Sequence, residues 1–332
     1  MKLSILDQAP ISANQTAQQA LNASLTLAQA GEKLGYTRYW IAEHHDLPGL
    51  ACPAPEVMLS YIGAKTNKIR IGSGAVLLPH YKPYKIAEVF NLLSTLFPSR
   101  IDIGIGRAPG GSAEVSNALS DHFLQNVWGF PDKLKDLLHF LNRDFPNGHE
   151  FAKLSAAPVP TVSPETWLLG TSKKSALLAA ELGLPYVFGQ FMSEHEGEAI
   201  IKHYFSSFQA RKKGDKPYVI LTVSAICADT DERAEEVALS SLIWSLQSSK
   251  GKREPGVPSI HEAKSCQLDE KDKETLNNIK RNVLIGGPTK VYQKLMELQS
   301  RYQADEIMIV TITHDHEDRL RSYELLSKAA IS

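Results

Sequence analysis

Cysteine is scarce: Cys52, Cys227 and Cys266 are the only ones in 332 residues, without disulfide-framework or zinc-ligand spacing. That pattern suits a reducing compartment. No apolar run approaches the roughly 18 residues of a membrane-spanning helix. At the amino terminus Met1, Leu3, Ile5 and Leu6 are the only apolar residues before Asp7, too few for the core of a secretory leader. A cytoplasmic protein off the membrane is therefore expected. Excess charge is missing too, with a formal net charge of -1 and no long block of one sign. This argues against nucleic acid or an acidic lipid surface as partner. The basic clusters Arg211–Lys213 and Lys250–Arg253 read as solvated helix ends or loops.

What is present is regular. Ile69 to Gly111 reads as an apolar strand (Ile69–Leu78), a turn marked by Pro79 and Pro83, a helix (Tyr84–Leu96), and a second apolar strand (Arg100–Gly106) entering a glycine-rich loop. Both strands are apolar on consecutive positions, as a parallel strand covered on both faces should be. Gly72, Gly74, Gly104 and Gly106 lie toward the strand ends, where α/β proteins place ligands.

The alternation runs through the chain. Strands are expected at Leu3–Leu6, Thr37–Glu43, Thr166–Gly170, Tyr186–Phe191, Tyr218–Ala228 and Glu306–Ile312, the last as the eighth, and a long helix over Glu194–Lys212. Eight strands alternating with helices give an α/β fold of the (β/α)8 TIM barrel type, with a doubly wound open sheet as the competing topology. The 43% apolar content fills one large core, so residues 1–332 read as one domain with surface excursions around 110–164 and 248–283.

Chemistry is concentrated past the strands. Glu43-His44-His45-Asp46 follows the second strand, and a histidine there can hold or release a proton near neutral pH. A packing pair is the competing reading, and at most one ring is expected to face a site. His314-Asp315-His316 follows the last strand and could meet the first cluster around zinc or iron, but Asp315 also reads as a helix cap; no metal is expected. Gly104-Ile105-Gly106-Arg107-Ala108-Pro109-Gly110 fails the dinucleotide spacing but supplies Arg107, a cation suited to a phosphate. Gly170-Thr171-Ser172-Lys173-Lys174-Ser175 opens a helix and fits either a phosphate cradle or an ordinary cap, with equal weight.

Taken together, YWIAEHH (39–45), IGSGAVLLPHYKPYKIAEVFNLL (71–93), SRIDIGIGRAPG (99–110), LLGTSKKSALLAAELGLPYVFGQF (168–191), LIGGPTKV (284–291) and DEIMIVT (305–311) resemble the bacterial luciferase-like flavin-dependent monooxygenases, in family order over nearly the whole chain. The resemblance implies a barrel with an insertion, reduced FMN at its carboxyl-end mouth, oxygen and a small organic molecule as substrates, a separate flavin reductase, and a homodimer. It implies His44 as the catalytic residue and a cis peptide at Gly74-Ala75 under the flavin ring. Arg107 with Thr171, Ser172 and Ser175 would hold the phosphate. Gly106 stands beside the ring where luciferases proper carry a reactive cysteine, so light emission is not expected. A deazaflavin-dependent hydride-transfer enzyme and a non-catalytic flavin-binding protein are the alternatives.

Overall fold

The computed structural model describes residues 1–193, 197–251 and 256–331. The chain begins β1 (Lys2–Asp7), α1 (Ala17–Lys33), β2 (Arg38–Ile41), α2 (Pro55–Gly63), β3 (Arg70–Leu77), α3 (Pro83–Leu96), β4 (Ile101–Gly106). The first excursion holds α4 (Ala113–Leu119), α5 (Phe123–Trp128) and α6 (Phe130–Asn142). Then come β5 (Glu165–Gly170), α7 (Lys173–Glu181), β6 (Tyr186–Gly189), α8 (Glu198–Ser207), β7 (Val219–Cys227) and α9 (Asp231–Ser249). The second excursion carries α10 (Ile260–Ser265) and α11 (Glu270–Arg281), and the chain closes with β8 (Val283–Gly286), α12 (Pro288–Tyr302), β9 (Glu306–Val310) and α13 (His316–Ile331).

The helix starts have local causes. Thr16 and Gln19 form a reciprocal capping box on α1, and Pro83 opens α3, where its missing N–H costs nothing. Strands β2 and β4 are buried at every position, their apolar residues covered on both faces and their two charged residues, Arg38 and Asp102, paired with each other.

Strand order is β6-β5-β4-β3-β2-β1-β9-β7, and the β6–β7 pairing closes the ring. Closure rules out the open doubly wound sheet and gives a (β/α)8 barrel. Two corrections concern the elements. Val283–Gly286 is an additional strand that pairs with β7 past the point where β6 leaves it, so Glu306–Val310 is the ninth strand in sequence. The long helix over 194–212 is shorter in fact. It runs Glu198–Ser207, because Phe208 turns extended and the polar stretch before Gly214 and Pro217 offers no apolar face to pack. Residues 194–196 of that expectation, and 252–255 of the second basic cluster and excursion, lie outside the described residues.

The barrel interior is layered. At its amino end Arg38 is clasped between Asp102 (Nη1 to Oδ2, 2.8 Å) and Glu306 (Nε to Oε1, 2.9 Å), with side-chain exposures of 6%, 0% and 0%. Trp167 covers the guanidinium at 4.5 Å, Trp40 donates to Asp102 (2.9 Å), and Tyr218 and Ser4 donate to Glu306. Above this plug lie Leu6, Trp40, Ala42, Trp167, Val187, Ile220, Met308 and Val310. Polar groups at one end and an apolar layer over them leave the carboxyl-end mouth as the reactive face. Gly104 lets β3 and β4 meet, since a Cβ there would lie 2.2 Å from the Ser73 carbonyl oxygen. Among the described residues no helix is long and apolar enough to cross a membrane.

Candidate functional site

Strands β2, β3, β4 and β5 are neighbours in the barrel, so their carboxyl ends form one arc of the mouth. That arc gathers His44, Gly74-Ala75, Gly106-Arg107 and Thr171-Ser172-Ser175. In the β3–β4 register Leu77 stands beside Gly106, and a Cβ on Gly106 would lie 3.2 Å from the Ala75 methyl. The Gly74–Ala75 bond is cis, as the resemblance implies, at a register shift between Ser73 and Val76. Ser73 ties this segment to β4: its Oγ donates to the Gly104 carbonyl at 3.0 Å and accepts the Gly104 N–H at 3.1 Å.

His44 and His45 face different surroundings. His45 Nε2 pairs with Glu43 Oε1 at 2.8 Å inside the protein. His44 is partly exposed, and its Nδ1 is buried with no hydrogen-bond partner among the described residues. Burial, helped by His45, pushes the His44 pKa down to about 4, so its ring is neutral at pH 7. A neutral imidazole at a strand end can accept a proton from, or return one to, a bound molecule.

This shift carries a stability signature. The unfolded ring takes a proton near pH 6.5 and the folded ring only near 4, so the contribution is complete above pH 6.5 and disappears as pH falls to 4. At its limit it reaches about 3 kcal/mol. Chemical denaturation from pH 7 to 4 should show a steeper loss for the wild-type chain than for His44→Gln. Parallel curves would contradict the shift.

The phosphate candidates divide. Ser172 and Ser175 form a reciprocal cap on α7, and the Ser175 hydroxyl also lies 3.0 Å from that of Tyr186. Their hydroxyls serve the helix. The Lys173 and Lys174 N–H groups, first in α7, have no acceptor within the helix, and Thr171 is half-buried. Arg107 is exposed and, among the described residues, has no ion pair. An exposed cation, a threonine and a helix start are a donor set that fits a phosphate dianion. Gly74 is required inside the barrel, where a Cβ would lie 2.4 Å from Leu6, while Ala75 and Gly106 carry only small groups where β3 and β4 end. The residues present therefore fit a flavin mononucleotide.

Among the described residues no three His, Cys, Asp or Glu side chains stand close enough to hold an ion, and His314 Nδ1 binds the Val257 carbonyl. Cys52 is buried with its thiol pushed up to about 12 by that burial, which makes it inert. Trp128 is 86% exposed and Trp167 belongs to the barrel plug, so neither touches the arc. A separate hollow of about 530 Å³, lined by His80, Tyr81, Lys133 and the α4–α5 turn, includes none of the flavin candidates.

Two groups had no role assigned from the sequence. Glu43 accepts from His45, from Tyr81 OH (2.7 Å) and from the Leu77 N–H (3.1 Å). The other is Asp7, which accepts from Arg319 and from Tyr39 OH beneath the rim. Its carboxyl stays below the usual range: burial raises it, and Arg319 with the Tyr39 hydrogen bond outweighs burial. A carboxylate ending an apolar strand was the available signal in both cases.

Known proteins resemble this chain. The sequence profile described as luciferase-like monooxygenase matches residues 1–304. YceB of Bacillus subtilis (strain 168), itself uncharacterised, is 43% identical over 98% of each chain. The N-acetyl-S-alkylcysteine monooxygenase of the same organism is 36% identical over 100% of this chain and 99% of its own. The crystal structure of apo-MsnO8 superposes with a TM-score of 0.88 at 34% identity, over 99% of this chain and 97% of that one. At the level of fold alone the barrel also matches an FMN complex of 3,6-diketocamphane monooxygenase (Pseudomonas putida; TM-score 0.72, 20% identity, 99% and 97% covered). An F420-dependent secondary alcohol dehydrogenase matches likewise (0.67, 13%, 99% and 98% covered). With a whole-length profile match, full-length relatives above 30% identity and a closed parallel barrel, this chain belongs to the luciferase-like monooxygenase family.

Proposed function

We propose that the protein is a monooxygenase that binds reduced FMN, delivered by a separate reductase, and uses molecular oxygen to oxidise a small organic molecule. The observation that carries this reading is the arc of adjacent strand ends: a half-buried histidine, the small residues Ala75 and Gly106, and an exposed cation beside a helix start. Reduced flavin supplies the electrons that allow oxygen to react with an organic molecule. The chain does the rest. Arg107, Thr171 and the first N–H groups of α7 hold the phosphate, while Gly74, Ala75 and Gly106 admit the ring. The apolar layer of Leu6, Ala42 and Val310 keeps water from beneath it. His44 moves a proton at the nitrogen that faces the mouth.

The N-acetyl-S-alkylcysteine relative makes a thioether bearing a carboxylate the first substrate class to offer. A homodimer is supported by apolar side chains one helical turn apart on neighbouring helices, Val57 (64% exposed) and Tyr61 on α2 with Leu92 and Leu96 on α3. Sedimentation at micromolar concentration checks it, a monomer being the contrary result.

Replacing Arg107 tests the phosphate assignment. A charge-assisted contact contributes about 1.5–3 kcal/mol, so Arg107→Ala should weaken anaerobic reduced-FMN binding roughly ten- to a hundredfold. Reduced riboflavin, which lacks the phosphate, should bind both chains alike. An unchanged FMN affinity would remove Arg107 from the site.

A further inference from the structure

We propose that Glu43 is a positioning residue for His44, drawing the loops after β2 and β3 together so that the His44 ring is presented to the mouth. The inference rests on the reading of His44 as the proton-handling group.

A proton-transfer histidine is ordinarily oriented by an acceptor on its second ring nitrogen. His44 has none among the described residues, because Nδ1 is buried without a partner. What is held is the backbone on either side of it. The His44 N–H donates to the Cys52 carbonyl (3.0 Å), and the His45 N–H donates to the Gly110 carbonyl (2.8 Å) in the loop after Arg107. Between these anchors the Glu43 carboxylate, 1% exposed, takes three donors from two loops. Oε1 accepts from Tyr81 OH and stands 2.8 Å from His45 Nε2, and Oε2 accepts from the Leu77 N–H, two residues beyond Ala75. One carboxylate thereby joins the peptide carrying His44 to the strand carrying the ring-facing Gly74-Ala75.

Among the described residues no Lys or Arg pairs with this buried carboxylate. Burying it without such a partner is costly and is tolerated only because three donors satisfy it. The titratable groups around the Glu43–His45 pair are His44, Cys52, Glu56 of α2, and His80 and Tyr81 after β3, with Lys133 behind His80.

The test uses the full chain without flavin. Nuclear magnetic resonance of the His44 ring is followed against pH in wild type, Glu43→Gln and Glu43→Asp, with unfolding curves to show that each is folded. Gln keeps the shape and cannot accept from all three donors, whereas Asp keeps the charge one methylene short. In Glu43→Gln the His44 midpoint should rise from about 4 by about one pH unit or more, as the ring gains water. Asp should fall between the two. With reduced FMN present, kcat should drop about tenfold or more in Glu43→Gln, with flavin affinity changed by less than about threefold. A folded Glu43→Gln chain whose His44 titration stays at the wild-type midpoint overturns the proposal. Should that chain fail to fold, Tyr81→Phe removes a single donor and should move the His44 midpoint in the same direction; no movement there overturns the proposal equally. The resonance measurement needs no turnover. A wild-type chain without activity contradicts the proposed function while leaving the role of Glu43 to be decided by His44.

Discussion

A His44→Ala chain should oxidise its substrate about a hundred- to ten-thousandfold more slowly than wild type, while binding reduced FMN within about threefold. The asymmetry follows from where the ring sits. The phosphate is assigned to Arg107, Thr171 and α7, and the ring to Gly74, Ala75 and Gly106, so removing an imidazole from the end of β2 leaves those contacts standing. What disappears is a neutral base at the mouth. Below about pH 4 the wild-type ring is protonated and loses that capacity, so the wild-type rate should fall in acid while the low rate of His44→Ala stays flat. Loss of flavin binding in His44→Ala would make the residue part of the cofactor surface, and an unchanged rate would end its catalytic assignment.

The Arg38→Met chain should be destabilised by about 3–5 kcal/mol, the largest effect expected of any single replacement. That is a large share of the roughly 5–15 kcal/mol that holds a typical protein folded. Burial alone would lower the Arg38 pKa; Asp102 and Glu306 outweigh it and raise it, so the guanidinium stays charged inside the barrel. Methionine fills the space against Trp40 and Trp167 but leaves Glu306 wholly buried with, among the described residues, only Ser4 and Tyr218 as side-chain donors. Asp102 suffers less, because Arg70 also holds it. The double replacement Arg38→Met with Glu306→Met should therefore recover part of the loss. Urea unfolding measures both, and a loss under about 1 kcal/mol for Arg38→Met would show that the plug is replaceable filler.

Much of this was legible in the amino-acid sequence because barrels announce themselves locally. Unbroken apolar strands, Gly and Pro at their ends and capped helices between them depend on neighbours a few residues away. The strand Val283–Gly286 escaped notice because four residues between a polar helix and a Gly-Gly-Pro turn are too short to show a period. Its partner, Ser224–Cys227, lies far away in sequence. The same distance hides the polar networks: Glu43 meets Leu77 and Tyr81, 34 and 38 residues on, and Arg38 meets Glu306 across 268. Such pairings exist only once the sheet is closed. Thr171, Ser172 and Ser175 show a third reason, since a helix cap and a phosphate cradle use the same residue types. Only coordinates separate the hydroxyls bound within the cap from the Thr171 hydroxyl that is not.

The central claim is a reduced-flavin site at the carboxyl-end mouth, and anaerobic titration of the purified chain with reduced FMN and reduced deazaflavin tests it most directly. Oxygen and a carboxylate-bearing thioether are then admitted to the tighter complex. Preferential binding of reduced FMN, followed by oxygen uptake matched by oxygenated product, is the predicted result. Preference for the deazaflavin would assign the barrel to hydride transfer, and no affinity for either would contradict the account of the arc from His44 to Thr171.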